Sequence, residues 1–304
     1  MIPRRAALLL PCLRLAAQDP PPAFAPAMRG IETSVGGLLG AAAVALKTGQ
    51  LAGWRAKERF PLLEMAQLPV ALHALAQMEL GEMPFHRMVA VAPGQFAPGH
   101  SPLRDRYPQG GVFTVGQLLE LAVRDNDSSA SDVLLSLGGG PGAVQKRMAR
   151  WFSEGIRIGR SLSALDAAFR LGPSRESFLM DGRDTATPES VALLMSAIEG
   201  GQILHPASHE RLRHWMRATP HGADRLGGQA AAALLYRKSG STAFWDGRNV
   251  CMSIAAVTAL PAGRGSLALA VFLRDTERDL TQRERALAAA AGALYGWFAS
   301  LPEK

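Results

Sequence analysis

The sequence predicts an α+β fold in which an antiparallel sheet, flanked by terminal helices, carries an inserted all-helical domain. Three observations predict it: a β-hairpin pattern near the N-terminus, a long middle stretch of helical periodicity, and strand-length apolar runs that precede a final helix. The predicted domains are an α/β domain of residues 28–61 and 211–304, and an all-helical domain of residues 62–210. With 304 residues, 48% of them hydrophobic, the chain has enough apolar material for both.

Residues 1–27 are predicted to be a signal peptide and a linker. Arg4 and Arg5 precede an apolar run, as in a secretory signal peptide that ends near Ala17. Residues 19–26 are rich in proline, which removes helix donors and restricts the preceding residue, so they are predicted to form a linker. The leader predicts a periplasmic or secreted protein, and no later apolar run makes a convincing membrane span.

The hairpin and the first helix of the helical domain follow the linker. Residues 38–46 are apolar, residues 47–50 are typical of a turn, and the apolar pattern resumes at residues 51–54. Glu64 then precedes the apolar segment 68–80. An acidic residue before such a run predicts the first turn of a buried helix, because free N–H groups and the helix dipole favour a negative charge there.

Capping residues and glycines predict the limits of the later elements. Thr114 and Thr187 are predicted helix N-caps, and the Gly-Gly-Gly-Pro run at 138–141 is predicted to end a helix. Past Pro220, apolar runs predict three strands, at residues 234–238, 251–257 and 267–273. The last apolar run, residues 284–301, has helical spacing and predicts a helix that packs on the sheet through Tyr295, Trp297 and Phe298.

The charged and metal-binding residues exclude several classes of partner. The formal net charge is +7, but the arginines are spread along the chain without a basic block, so no nucleic-acid partner is predicted. An anionic cell-envelope polymer suits this charge equally well. Cys12 and Cys251 provide no disulfide framework or cysteine-based zinc site. His209 and His214 miss the metalloprotease spacing by one residue, so no metal and no cofactor are predicted.

Four short motifs occur in an order that resembles one known family. They are Arg59-Phe60-Pro61, Asn126-Asp127-Ser128, Arg183-Asp184-Thr185-Ala186-Thr187-Pro188 and Lys238-Ser239-Gly240-Ser241. They are similar to motifs of the class A β-lactamases and their penicillin-binding relatives, and the match covers roughly residues 30–300. The resemblance implies a β-lactamase/transpeptidase-like fold.

The resemblance also implies where a catalytic site would lie. Glu64 takes the position of the family's nucleophilic serine, Gln67 that of the lysine three residues later, and Asn126 that of the second serine. Lys238 takes the position of the pocket lysine that recognises a substrate carboxylate. Because no Ser-x-x-Lys motif occurs in the sequence, these positions are predicted to have lost the acylation chemistry.

The family's omega loop corresponds to the segment between Arg160 and Asp184, and this segment lacks the family's catalytic base. The family's deacylating glutamate aligns with Leu162, and the asparagine that follows it aligns with Asp166. An uncharged leucine supplies no base for the release of an acyl group.

Further roles are implied for neighbouring positions. Ligand binding is predicted for Lys238, Ser239, Ser241 and Asn126. Structural roles are predicted for Asp127, as a buried carboxylate that holds its loop, and for an ion pair between Arg160 and Asp184. Lys238 is predicted to pair with Glu64, which would neutralise the site.

Each site residue also has a simpler interpretation. Glu64 is equally well explained as a favourable charge at a helix start. Gln67 and Asn126 are explained as polar fillers of a vestigial cleft, and Lys238 as half of a structural ion pair.

These observations leave three functions open. The first is a non-catalytic β-lactamase-like protein that binds an envelope-related or other small ligand, such as a peptidoglycan fragment, in the vestigial cleft. The alternative is a hydrolase of the β-lactam, amide or ester type, in which Glu64 acts with Lys238 as its electrostatic partner. Ordinary β-lactamase activity under a different alignment is the third. No pattern in the sequence indicates an oligomeric state.

Overall fold

A computed structural model describes residues 24–152, 155–242 and 244–302. The predicted signal peptide and most of the predicted linker lie outside these residues. The helices are α1 (Phe24–Val35), α2 (Gln67–Glu79), α3 (Pro102–Arg106), α4 (Val115–Arg124), α5 (Ser128–Leu137), α6 (Gly140–Phe152), α7 (Leu162–Leu171), α8 (Arg175–Met180), α9 (Pro188–Glu199), α10 (Pro206–Arg217), α11 (Gly228–Ala232) and α12 (Leu280–Ser300). The strands are β1 (Leu38–Ala45), β2 (Leu51–Trp54), β3 (Phe60–Pro61), β4 (Met88–Val91), β5 (Gly111–Thr114), β6 (Thr185–Ala186), β7 (Leu234–Ser241), β8 (Phe244–Trp245), β9 (Arg248–Ala259) and β10 (Ser266–Thr276).

The main sheet is antiparallel and has the strand order β2-β1-β10-β9-β7, with β8 also paired to β9. Side chains alternate between its two faces, as the period of a strand requires. Leu269 and Val271 of β10 pack with α1 and α12, whereas Ala270 and Phe272 pack with the helical domain. The sheet is therefore covered on both sides, which agrees with the predicted α+β fold.

Several predicted elements are confirmed. The early hairpin is β1 paired with β2, and the three C-terminal strands are β7, β9 and β10. Thr114 and Thr187 accept backbone N–H groups as N-caps of α4 and α9. The closing helix is α12, whose Tyr295 and Phe298 are buried on the sheet.

The linker prediction is wrong at its C-terminal end. Residues 24–26 belong to α1, although they include Pro26. Proline is tolerated in the first turn of a helix because the N–H groups there have no intrahelical acceptor. The helix packs on α12, where the ring centroids of Phe24 and Trp297 lie 6.3 Å apart.

The segment predicted to be all-helical also contains short strands. β4 pairs with β5 within this segment, and β6 pairs with β3, which lies just before it, so the Arg-Phe-Pro motif lies beside the omega-loop motif. The N–H of Leu62 donates to the carbonyl oxygen of Asp184 at 2.9 Å and extends this pairing. These contacts bring two motifs that are distant in sequence to the start of α2. None of the helices in the described ranges is long and apolar enough to cross a membrane.

Candidate functional site

Glu64 lies in a short 3₁₀ helix, Leu63–Ala66, that continues into α2. The first residue of this 3₁₀ helix, Leu63, has a φ of 51°, which is unusual for a residue with a side chain. In this position the Oε2 atom of Glu64 accepts a hydrogen bond of 2.6 Å from the N–H of Ser241, at the end of β7. The predicted first turn of a buried helix is thus present, and its carboxylate is bound by the neighbouring strand.

Opposing effects act on the protonation of Glu64. Burial raises the pKa of its carboxyl group, while the N–H of Ser241, its own N–H and the charges of Lys238 and Arg225 lower it. The side chain is half-buried and reaches a solvent-accessible cavity. Backbone N–H groups directed at an anionic oxygen are the kind of arrangement that stabilises oxyanions in acyl transfer. In this protein the carboxylate of Glu64 itself accepts these N–H groups.

Lys238 is completely buried and its ammonium group is surrounded by acceptors. Its Nζ atom donates to Oε1 of Gln67 at 2.7 Å, to Oδ1 of Asn126, and to the carbonyl oxygens of Ala122 and Val123 at 3.0 and 3.2 Å. Burial lowers its pKa to about 7, against the opposing charge of Glu64. None of the described contacts of Nζ is with a serine or threonine hydroxyl.

The predicted ion pair between Glu64 and Lys238 is therefore wrong as a direct contact. Among the described residues, no salt bridge joins the two side chains, and they interact only through their charges. The physical reason is the C-terminal end of α4, where Ala122 and Val123 present free carbonyl groups. Such carbonyls, at the negative end of the helix dipole, favour a cation.

Asn126 connects this buried lysine to the sheet. Its backbone has a φ of 54°, a conformation that asparagine adopts more readily than most residues. Its Nδ2 atom donates to the carbonyl oxygen of Ser239 at 3.2 Å, while its Oδ1 atom accepts from Lys238. Asn126 and Gln67 thus act as neutral ligands of the ammonium group, which agrees with their interpretation as polar fillers.

Asp127 caps α5 and fixes the loop before it. Its buried carboxylate accepts N–H groups from Ala130, at 2.8 Å, and from Leu103, and a hydrogen bond from the hydroxyl of Ser101. Burial raises its pKa, and these donors lower it. The contacts are those expected of the loop-holding role predicted for this residue.

The predicted ion pair of the omega loop is present. Nε of Arg160 lies 2.6 Å from Oδ2 of Asp184, and the N–H groups of Gly159 and Arg160 donate to Oδ1. A second carboxylate, Asp132 of α5, accepts the N–H groups of Leu162 and Ser163 at the start of α7. Together these contacts fix both ends of the connection between Arg160 and α7.

A cavity of about 410 Å³ lies between the start of α2, the end of β7 and the omega loop. Its apolar lining consists of Leu63, Pro98, Leu162, Leu165, Phe169 and Phe178. Its polar lining consists of Glu64, Gly99, His100, Ser128, Asp166, Arg170, Ser241 and Thr242. A volume of this size is in the range of small-molecule sites.

The cavity includes only part of the predicted site. Glu64 and Ser241 line it, but Lys238, Ser239, Asn126 and Gln67 do not, and all four are buried. Lys238 is thus not among the residues that line this cavity, and its role in ligand binding stays a prediction. Its buried ammonium group donates to four protein acceptors.

The apolar wall of the cavity was not predicted from the motifs. Leu162, Leu165 and Phe169 recur at spacings of three and four on α7, a helical pattern that the sequence contains. This pattern could have been found, because it indicates one apolar helix face next to the omega-loop motif. The described residues contain no cluster of His, Cys, Asp and Glu suited to a metal ion.

The fold and the motif positions define the class of protein. The model of the β-lactamase enzyme family, Beta-lactamase2, matches residues 23–298, and the chain belongs to this family.

Individual relatives agree with this assignment. The chain is 24% identical over 244 residues to β-lactamase VEB-1 of Pseudomonas aeruginosa, an alignment that covers 79% of this chain and 78% of that protein. A β-lactamase from Chitinophaga pinensis has a similar structure, with a TM-score of 0.82, 23% identity, and coverage of 90% of this chain and 99% of that one. The class A β-lactamase of the last common ancestor of Gram-negative bacteria gives a TM-score of 0.79 at 27% identity, covering 91% and 99% of the two chains.

Proposed function

We propose that this protein is a member of the β-lactamase family that lacks serine acylation chemistry and binds a small ligand in the cavity beside Glu64. The observation that carries this proposal is the carboxylate of Glu64, which accepts the N–H of Ser241 at the position implied for the nucleophile. A carboxylate has no hydroxyl to acylate.

The neighbouring groups support the same proposal. The amide of Gln67 is not a base at ordinary pH, and the amine of Lys238 is enclosed by four acceptors. Leu162, at the position implied for the deacylating glutamate, adds an apolar side chain to the cavity. The implied positions of the nucleophile, its base and the deacylating base thus hold Glu64, Gln67 and Leu162. The absence of all three catalytic groups supports a binding function.

Export to the periplasm or the cell surface is part of the proposal. The basic and apolar leader supports it, and the net charge of +7 suits anionic envelope material. A peptidoglycan fragment is one ligand that such a location would offer.

The test is intact-mass measurement after incubation with a reporter penicillin and with a fluorophosphonate. We expect no covalent adduct on the wild-type protein and no hydrolysis of nitrocefin. As a positive comparison, the double variant Glu64→Ser with Gln67→Lys regains a hydroxyl and an amine but still has Leu162, so a stable acyl adduct is expected. A covalent adduct on the wild-type protein contradicts the proposal.

One observation favours a second function, a hydrolase with rewired chemistry. Glu64 faces the cavity, and burial raises the pKa of its carboxyl group, as in carboxylates that act as general acids or bases. If this is correct, a screen of esters, amides and lactams finds a substrate, and Glu64→Gln abolishes turnover with little change in Tm. A screen without any turnover ends this alternative.

A further inference from the structure

Three formally charged side chains line the cavity: Glu64, Asp166 and Arg170. Nε of Arg170 lies 2.6 Å from Oδ2 of Asp166, one helical turn away on α7, so these two charges compensate each other. The carboxylate of Glu64 is paired only with backbone N–H groups among its described contacts. Glu64 is therefore the charged lining residue that has no ion-pair partner among the described residues.

The cations behind the cavity are not available to a ligand. Lys238 is fully buried with four acceptors around its Nζ atom. Arg225 is also buried, and its guanidinium group donates to the carbonyl oxygens of Gly240 and Ser253 and lies 3.5 Å from Glu284. Both side chains affect Glu64 through their charges, but both are buried and neither lines the cavity.

The opposite wall offers a surface for an apolar group. The rings of Phe169 and Phe178 meet edge to face at 5.9 Å, and Trp245 packs behind them at 5.2 and 6.1 Å. Leu162 and Leu165 extend this surface along α7. Aromatic and aliphatic walls of this kind bind ligands by removing apolar area from water.

We propose that the cavity selects its ligand by charge, and that it takes a primary amine carried on an aromatic or aliphatic group in preference to a carboxylate. The ammonium group lies beside the carboxylate of Glu64, and the apolar group lies on the wall formed by Phe169 and Phe178. The hydroxyls of Ser128 and Thr242 add acceptors for the remaining ammonium protons. This inference rests on the proposed function, because it names the class of ligand for the same cavity.

Three probes that share one phenyl group test the proposal: 2-phenylethylamine, 2-phenylethanol and phenylacetate. Their affinities are measured at pH 8 by isothermal titration calorimetry, with tryptophan fluorescence as a second signal because Trp245 backs the wall. We expect the amine to bind about tenfold more tightly than the alcohol, a difference of about 1.4 kcal/mol, and phenylacetate to bind most weakly.

Three variants identify the groups responsible. Glu64→Gln removes the charge and is expected to reduce the preference for the amine over the alcohol to near unity. Phe169→Ala is expected to weaken all three probes by a similar factor, because they share the phenyl group. Arg170→Ala changes an exposed side chain and uncovers the charge of Asp166, so the amine is expected to bind more tightly.

The outcomes separate this inference from the proposed function. Tighter binding of phenylacetate than of the amine, or an unchanged preference in folded Glu64→Gln, overturns the charge selection but leaves a ligand-binding cavity. If Glu64→Gln does not fold, the charge selection is overturned instead by an Arg170→Ala variant that binds the amine more weakly than the wild type does. Absence of binding by all three probes overturns the inference, whereas the proposed function is overturned by a covalent adduct on the wild-type protein.

Discussion

At the scale of one residue, Lys238 shows how neutral acceptors can hold a buried amine. The side chain is buried, and its ammonium group is held by Gln67, Asn126 and two carbonyl groups at the end of α4. These neutral acceptors replace the water that the amine loses on folding, but burial still lowers its pKa to about 7. The group therefore titrates in the folded protein well below its ordinary value of 10.5.

This shift predicts a pH dependence of stability. Because the folded pKa is depressed, the unfolded chain binds more protons between pH 7 and 10.5, and the free energy of unfolding rises with pH across that window. This gain in stability shrinks as the pH falls from 10.5 and is lost as the pH falls through about 7. The free energy of unfolding is measured by urea denaturation at pH 7.5 and at pH 9.5. Its rise between these two pH values should be larger by roughly 2 kcal/mol in the wild type than in Lys238→Met.

The wild type and Lys238→Met are compared by how steeply the free energy of unfolding changes with pH, not by its absolute value. Lys238→Met keeps an unbranched apolar side chain but leaves the oxygens of Gln67 and Asn126 without their donor, so it is expected to be less stable at every pH. Equal slopes in the two proteins would mean that the ammonium group keeps an ordinary pKa inside the fold.

Part of this site could be predicted from the sequence. The positions of Glu64 and Ser241 followed from the motifs, and both line the cavity. The partner of Lys238 did not follow, because it depends on how the end of α4 meets β7, more than 100 residues later in the chain. Pairing opposite charges in the sequence does not take into account the free backbone carbonyl groups that accept hydrogen bonds from the same amine.

At the scale of elements, Asp132 joins α5 to the omega loop. Its carboxylate accepts the N–H of Leu162 at 2.7 Å and both the N–H and the hydroxyl of Ser163, at 2.8 and 2.6 Å. Ser161 caps the same helix through the N–H of Ala164. The first turn of α7, which supplies the apolar wall of the cavity, is thus held by two side chains.

Asp132→Ala is expected to loosen α7 and the cavity wall with it. The substitution leaves three donors without an acceptor and should lower the free energy of unfolding by about 2 kcal/mol. Hydrogen exchange of the amides of residues 162–171 should become faster than in the wild type. Asp166→Ala, on the same helix, breaks only a pair with the exposed Arg170 and should change stability by no more than about 0.5 kcal/mol. Equal exchange in the two variants would assign the order of α7 to its apolar packing alone.

Elements with local signals were predictable, and elements without them were not. Thr114 and Thr187 mark helix starts by their own hydroxyl groups, so α4 and α9 were found from the sequence. The pairs β3–β6 and β4–β5 are only two to four residues long and depend on contacts between distant segments. Helix α1 was hidden by Pro26, because its packing on α12 cannot be read from a proline-rich composition.

At the scale of the whole molecule, one strand joins two hydrophobic cores. Leu269 of β10 packs on the side of α12, and Phe272, three residues later, packs on the side of the helical domain. The ring of Phe272 lies 5.5 Å from that of Phe60, next to the start of α2. The division into residues 28–61 with 211–304 and residues 62–210 remains a prediction about the sequence, and the shared strand argues that the two parts are coupled.

This coupling predicts a single unfolding transition. Leu269→Ala should lower the free energy of unfolding by about 2–5 kcal/mol, and Phe272→Ala by about 3–5 kcal/mol, because each leaves a cavity beside the same strand. If the two cores unfold together, peptides from α4 and from α12 lose hydrogen-exchange protection at the same urea concentration in the wild type and in both variants. The two midpoints should move by the same amount, whichever face is altered. If instead Leu269→Ala shifts only α12 and Phe272→Ala shifts only α4, the sheet separates two independent units, and the predicted domains are physical domains.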